Sequence, residues 1–130
     1  MLVTKKKIIK SKGSTILKYL NLSKNLNIRE IYFSEIKKGV IKGWNLHKKT
    51  DCNISVVYGK VKFTIYKKGK ILERIIISRK DFSNLKIPKN YWFKYESLND
   101  PLSIIVNSIS IKHSKNEMIK KNALKYNIPE

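Results

Sequence analysis

The sequence predicts an all-β protein, a closed barrel or a sandwich, and three observations carry that reading. Short runs rich in β-branched and aromatic residues follow one another from about residue 30 to residue 111. Turn signals separate them: Lys38-Gly39, Tyr58-Gly59-Lys60, Lys67-Lys68-Gly69-Lys70, Pro88-Lys89-Asn90 and Asn99-Asp100-Pro101. Within one run, Val61, Phe63 and Ile65 alternate with Lys62, Thr64 and Tyr66, the period of a strand with one buried face.

Taken in order, the predicted strands cover residues 31–33, 39–46, 54–58, 61–66, 71–77, 84–87 and 102–110. Many short strands at even spacing, joined by tight turns, favour a closed architecture. The clearest helical candidate is the tail, residues 116–124, and it is short. No low-complexity linker, internal repeat or Pro/Gly-rich hinge divides the chain. Residues 1–130 are therefore expected to form one domain, long enough to bury a core.

Composition narrows the function classes. A hydrophobic fraction of 42% excludes a disordered chain, and 29% charged residues exclude a membrane-embedded one. No stretch approaches the roughly 18 apolar residues that span a bilayer, and residues 1–10 lack the apolar run of a signal peptide. Cys52 is the only cysteine, so no internal disulfide can form and the cytoplasm is the expected compartment. The net charge of +20 would ordinarily point to a polyanion. Only Arg29, Arg74 and Arg79 are arginines, however, and arginine is the side chain that reads phosphates and bases bidentately. With lysines scattered and the chain heavy in Ile and Asn, the charge reads as compositional bias, and nucleic acid is not the expected partner. Only two histidines occur, His47 and His113, too few for a histidine-based metal centre. There is no Gly-rich phosphate loop and no Ser-His-Asp pattern.

The stretch from Phe33 to Lys49, centred on Gly39-Val40-Ile41-Lys42-Gly43-Trp44-Asn45-Leu46-His47, resembles the first core strand of the dTDP-4-dehydrorhamnose 3,5-epimerase family. In that family a Gly-Val-hydrophobic-basic-Gly run leads to a catalytic histidine. Three further blocks are similar in order and spacing: Val56-Val57-Tyr58-Gly59-Lys60-Val61, then Leu85-Lys86-Ile87-Pro88 with Trp92-Phe93, then Ser97 to Asp100 with Ser103 to Asn107. The closing segments His113 to Glu117 and Asn127-Ile128-Pro129 look like a shorter branch of the family. The resemblance implies a cupin-type β-barrel (jelly roll) with a short C-terminal helical segment, paired as a homodimer through N-terminal strands. It implies neither a metal nor another cofactor. The implied ligand is a nucleotide-linked 4-keto-6-deoxy sugar of surface polysaccharide synthesis.

In that reaction a base removes a proton beside the ketone, a cation or donor holds the enolate oxygen, and an acid returns the proton. Carried over position by position, Lys42 is the basic residue that would contact phosphate. Asn45 stands where the family has its catalytic histidine, and an amide cannot take a proton. The family's oxyanion lysine falls near Cys52 or Asn53, and its tyrosine acid falls at about Val106, beside Asn107. On a strand Asn45 and His47 share a face, so His47 is the candidate displaced base, with Lys48 or Lys62 as its cation. Trp92 is a candidate platform for a nucleotide base or a cover for the barrel mouth, with core packing equally open. Asn107, an amide in a strand interior, serves either the ligand or a backbone group. Trp44 is expected in the core, and His113 and Glu117 at the surface or a dimer contact. Two rivals remain: an inert sugar-nucleotide-binding module, and a basic nucleic-acid-binding barrel using Tyr58, Phe63 and Tyr66 as a stacking face.

Overall fold

The computed structural model describes residues 2–21, 27–67, 69–111, 116–125 and 129. In chain order the strands are β1 (Val3–Lys5), β2 (Ile8–Ser11), β3 (Ser14–Leu17), β4 (Glu30–Lys37), β5 (Ile41–His47) and β6 (Cys52–Tyr58). They continue as β7 (Lys60–Lys67), β8 (Lys70–Ser78), β9 (Ser83–Ile87), β10 (Trp92–Ser97), β11 (Leu102–Ile109) and β12 (Met118–Lys120). Two five-stranded antiparallel sheets hold ten of them, in the orders β1-β9-β6-β11-β4 and β12-β5-β10-β7-β8, while β2 and β3 form a separate hairpin. The non-consecutive neighbours are those of a jelly roll. Among the described residues no helix is long and apolar enough to cross a membrane.

The alternation read from β7 sets the core. Val61, Phe63 and Ile65 are fully buried between the sheets, with Ile54, Val56, Leu85, Ile87, Phe93, Ile105 and Ile109. The opposite face of the same strand is not simply solvated. Tyr66 packs there with Trp44, Leu46 and Trp92 in a smaller apolar cluster. The wall formed by β5, β10 and β7 is therefore covered on both sides at one end.

The seven predicted runs fall within or overlap β4 to β9 and β11. Strand β10 was not predicted, because its sequence, Trp-Phe-Lys-Tyr-Glu-Ser, interleaves charge and follows a proline turn. The expected C-terminal helix is a correction: residues 118–120 form β12 instead, and the described residues include no helix. A nine-residue segment is too short to sustain a helix alone. The free edge of β5 offers backbone partners, pairing Met118 with His47 and Ile119 with Leu46.

One irregularity positions the site. Phe93 of β10 faces Asn45 and Lys94 faces Gly43, so Trp44 is the extra residue of a bulge. Gly43 has φ +115°, and a Cβ there would sit 2.7 Å from the Phe93 carbonyl oxygen. Only glycine fits this close approach.

Candidate active site

A cavity of about 460 Å³ opens between the two sheets. From the second sheet, β5 contributes Lys42, Asn45 and His47, and β10 contributes Phe93 and Tyr95. From the first, β4 contributes Tyr32 and Ser34, and β11 contributes Asn107. The C-terminal segment closes one side with Met118, Lys120, Lys121 and Asn122.

Four predicted site residues thus meet at one cavity: Lys42, Asn45, His47 and Asn107. Three do not. Lys48 is exposed beyond the end of β5, where its N–H donates to the Glu117 carbonyl at 2.9 Å. Lys62 points from the outer face of β7 and lines a different cavity. Trp92 is 8% exposed and belongs to the outer cluster with Trp44, with Lys121 Nζ 5.9 Å from its ring. The reason is strand parity: on β10, Phe93 and Tyr95 turn inward, so Trp92 turns outward. Trp44 is core, as expected, with no exposure.

His47 is 4% exposed, and its Nδ1 bonds to Oε1 of Glu117, itself 2% exposed. The second carboxylate oxygen accepts from the Lys49 N–H at 3.5 Å. Glu117 was expected at the surface; the structure buries it because β12 lies along β5 and carries the residue to the histidine. The His47 ring also stacks on Phe93 at 6.1 Å and 13°, and Phe93 stacks on Tyr95 at 6.1 Å and 15°. With Nδ1–H donated to a carboxylate, the basic lone pair of the neutral ring is on Nε2. His113 lies outside the described residues, as do residues 127 and 128 of the closing block.

The first sheet supplies a phenol. Asn107 Nδ2 donates to Tyr32 Oη at 2.8 Å, while Asn107 Oδ1 is buried with no hydrogen-bond partner among the described residues. Burial pushes the Tyr32 hydroxyl above the ordinary tyrosine range, the neighbouring Cys52 adds to the shift, and the Asn107 bond partly offsets it. Tyr95 is pushed up to about 12 by burial, with Cys52 adding to it. Cys52 itself is buried, and desolvation pushes its thiol up to about 12. Both phenols are therefore neutral donors at physiological pH.

Sequence reasoning missed Glu117, Tyr32, Tyr95, Lys120 and Lys121. For Tyr32 the residues gave no parity, because Ile31, Tyr32 and Phe33 are apolar in a row; the structure leaves Ile31 and Phe33 51% and 66% exposed and turns Tyr32, Ser34 and Ile36 inward. For Glu117 there was no signal, since 70 residues separate it from His47. Cations reach the cavity from β5 and from the C-terminal segment, not from β6. Of the aromatic residues considered for base stacking, Phe63 and Tyr66 are buried at 0% and 3% exposure, leaving Tyr58 at 48%. Among the described residues no group of three His, Cys, Asp or Glu could hold a metal ion.

Neither the protein-family models nor the curated proteins include a match to this chain. Solved structures do match. A dTDP sugar isomerase from Desulfovibrio desulfuricans superposes with a TM-score of 0.84 at 22% identity, covering 92% of this chain and 82% of that one. The sugar 3,4-ketoisomerase QdtA from Thermoanaerobacterium thermosaccharolyticum, solved in complex with TDP, gives 0.79 at 16% identity, covering 98% and 92%. The dTDP-6-deoxy-D-glucose-3,5-epimerase RmlC from Legionella pneumophila, solved with dTDP-4-keto-L-rhamnose, gives 0.80 at 15% identity, covering 94% and 72%. The fold of this chain is that of the RmlC-type sugar epimerases and ketoisomerases, a cupin jelly roll at low sequence identity.

Proposed function

We propose that this protein is a nucleotide-sugar isomerase or epimerase acting on a 4-keto-6-deoxy sugar linked to dTDP or another nucleoside diphosphate, in surface polysaccharide synthesis. The observation that carries the reading is His47, buried at the cavity wall with Nδ1 held by the buried Glu117 carboxylate. That pairing leaves Nε2 as the base and stabilises the imidazolium formed when it takes a proton.

His47 removes the hydrogen on a carbon beside the ketone, and the bonding electrons move to the ketone oxygen. Lys42 and Lys120 line the same cavity and supply positive charge for the enolate and for the diphosphate. The unpartnered Asn107 Oδ1 accepts a sugar hydroxyl. Proton return then has two routes. From Tyr32, carried by the other sheet, it inverts the carbon. From His47 to the former carbonyl carbon, it moves the ketone, the hydroxyl proton of the deprotonated carbon passing to the enolate oxygen by way of the enediol. A cytoplasmic homodimer belongs to the same proposal, because edge strand β4 presents Ile31 and Phe33, which a second copy would cover.

The test is deuterium incorporation from D2O into dTDP-, GDP- and CDP-linked 4-keto-6-deoxy sugars, wild type beside His47→Ala. Wild type is expected to label a carbon next to the ketone, and the variant to slow labelling by about 10²- to 10⁴-fold. Binding of a sugar nucleotide without any exchange would overturn the catalytic reading and leave an inert binding module, the reading that Asn45 at the wall favours.

A further inference from the structure

The outer face of the second sheet carries a cavity of about 360 Å³, on the other side of the β5–β10 wall from the candidate active site. Cross-strand register builds it. Lys94 of β10 sits opposite Thr64 of β7, and Thr64 sits opposite Arg74 of β8. An ammonium, a hydroxyl and a guanidinium therefore stand in one row across three neighbouring strands, about 4.8 Å apart per step. The next row pairs Glu96 with Lys62, which adds a second ammonium to the rim.

Two features of this cavity lack an internal explanation. Three cations, Lys62, Arg74 and Lys94, surround it against a single carboxylate, Glu96, and none of the three is ion-paired among the described residues. Like charges gathered on adjacent strands repel, and no fold requirement gathers them here. The second feature is independent of charge. Thr64 is only 5% exposed, it lines the cavity, and its hydroxyl has no hydrogen-bond partner among the described residues. That hydroxyl is open to the cavity and able to donate to a ligand there. Lys94 is also set in place, its Nζ 4.8 Å from the centre of the buried Trp44 ring.

A tetrahedral oxyanion answers both features together. Its oxygens accept from the Arg74 fork, the Thr64 hydroxyl and the two ammonium groups, and its charge offsets the excess of cations. A second copy of this chain packed about a two-fold axis at this face would set the cationic cluster against itself. We propose that this cavity is a binding site for a phosphate-class oxyanion, either free phosphate or diphosphate or the phosphoryl group of a metabolite. It goes beyond the proposed activity and does not depend on it.

The test uses the full chain. The sequence has two tryptophans, so an ¹⁵N-labelled sample shows two indole N–H signals, assigned with Trp92→Phe. Inorganic phosphate, pyrophosphate and glucose 1-phosphate are titrated at constant ionic strength held with sodium chloride. The Trp44 signal is expected to shift saturably, and affinity to fall by about tenfold or more in the Lys62→Ala/Arg74→Ala double variant. Both residues are exposed, so this variant is expected to keep its fold, which its melting temperature checks. Thr64→Val weakens binding as well, while Lys42→Ala, altered at the other cavity, leaves the Trp44 titration unchanged. Preference for the inorganic anions identifies free phosphate as the ligand, and preference for glucose 1-phosphate identifies a phosphoryl metabolite. No saturable shift with any of the three anions, or a titration that survives the double variant, overturns the proposal.

Discussion

At the scale of single residues, His47 gains its proposed role from what touches it. An isolated histidine at a strand end would hydrogen-bond backbone or water. Here the Glu117 carboxylate fixes the tautomer and Phe93 fixes the ring plane. Glu117→Gln keeps the shape of the side chain and removes its charge. Hydrogen exchange into the keto sugar is expected to slow by about a hundredfold while nucleotide-sugar binding is retained. Because the imidazolium loses its counter-charge, His47 becomes less basic, and the acid limb of the rate profile moves to lower pH. Kinetics across the pH range read both effects; an unchanged limb would show that Glu117 does not act through His47. Of this pair, only His47 was legible in the residues, through its shared parity with Asn45. Glu117 was not, because no local pattern records a contact between strands 70 residues apart.

At the scale of elements, β12 is what completes the site, since its docking on the edge of β5 brings Glu117, Lys120 and Lys121 together with His47. Beyond β12 the pairing continues with the Lys121 N–H donating to the Trp44 carbonyl and the Ala123 N–H to the Gly43 carbonyl, both at 2.9 Å. Lys121→Pro removes the donor, whereas Lys121→Ala keeps it. The proline variant is expected to loosen β12 and lose exchange activity by about tenfold or more, at a hydrogen-bond cost of about 1 kcal/mol. The alanine variant stays nearer wild type. Amide hydrogen exchange of residues 118–120 checks the cause, and equal behaviour of the two variants would argue against it. The strands themselves were readable where turns bracket β-branched runs, as in β6 to β8. The parity of β10 was not readable. Trp92 and Phe93 are adjacent aromatics, and only register with β5 and β7 decides which one enters the cavity.

At the scale of the whole molecule, several acidic groups are folded in their neutral form. Burial raises Cys52 from 9.0 to about 12, and Tyr19 and Tyr95 from 10.0 to about 12. Each holds its proton in the folded chain at pH values where the unfolded chain has released it. Stability is therefore fully present below about pH 9 and is lost as pH rises through the window from 9 to 12. Urea midpoints are expected to stay level to about pH 9 and then fall steadily. In Cys52→Ala the fall begins nearer 10, where the tyrosines take over. A midpoint that held constant to pH 12 would contradict the burial of these groups.

Residue order alone determined the all-β class, most strand positions, and the pairing of Asn45 with His47 on one face. These depend on local chemistry: β-branched runs, glycine and proline turns, and the two-residue period of a pleated chain. Only the tertiary structure decided that the tail becomes a strand, that Trp92 faces away from the cavity, and that Glu117 and Tyr32 meet the site. Those outcomes depend on the register between strands distant in sequence, which is settled when two sheets close over a common core.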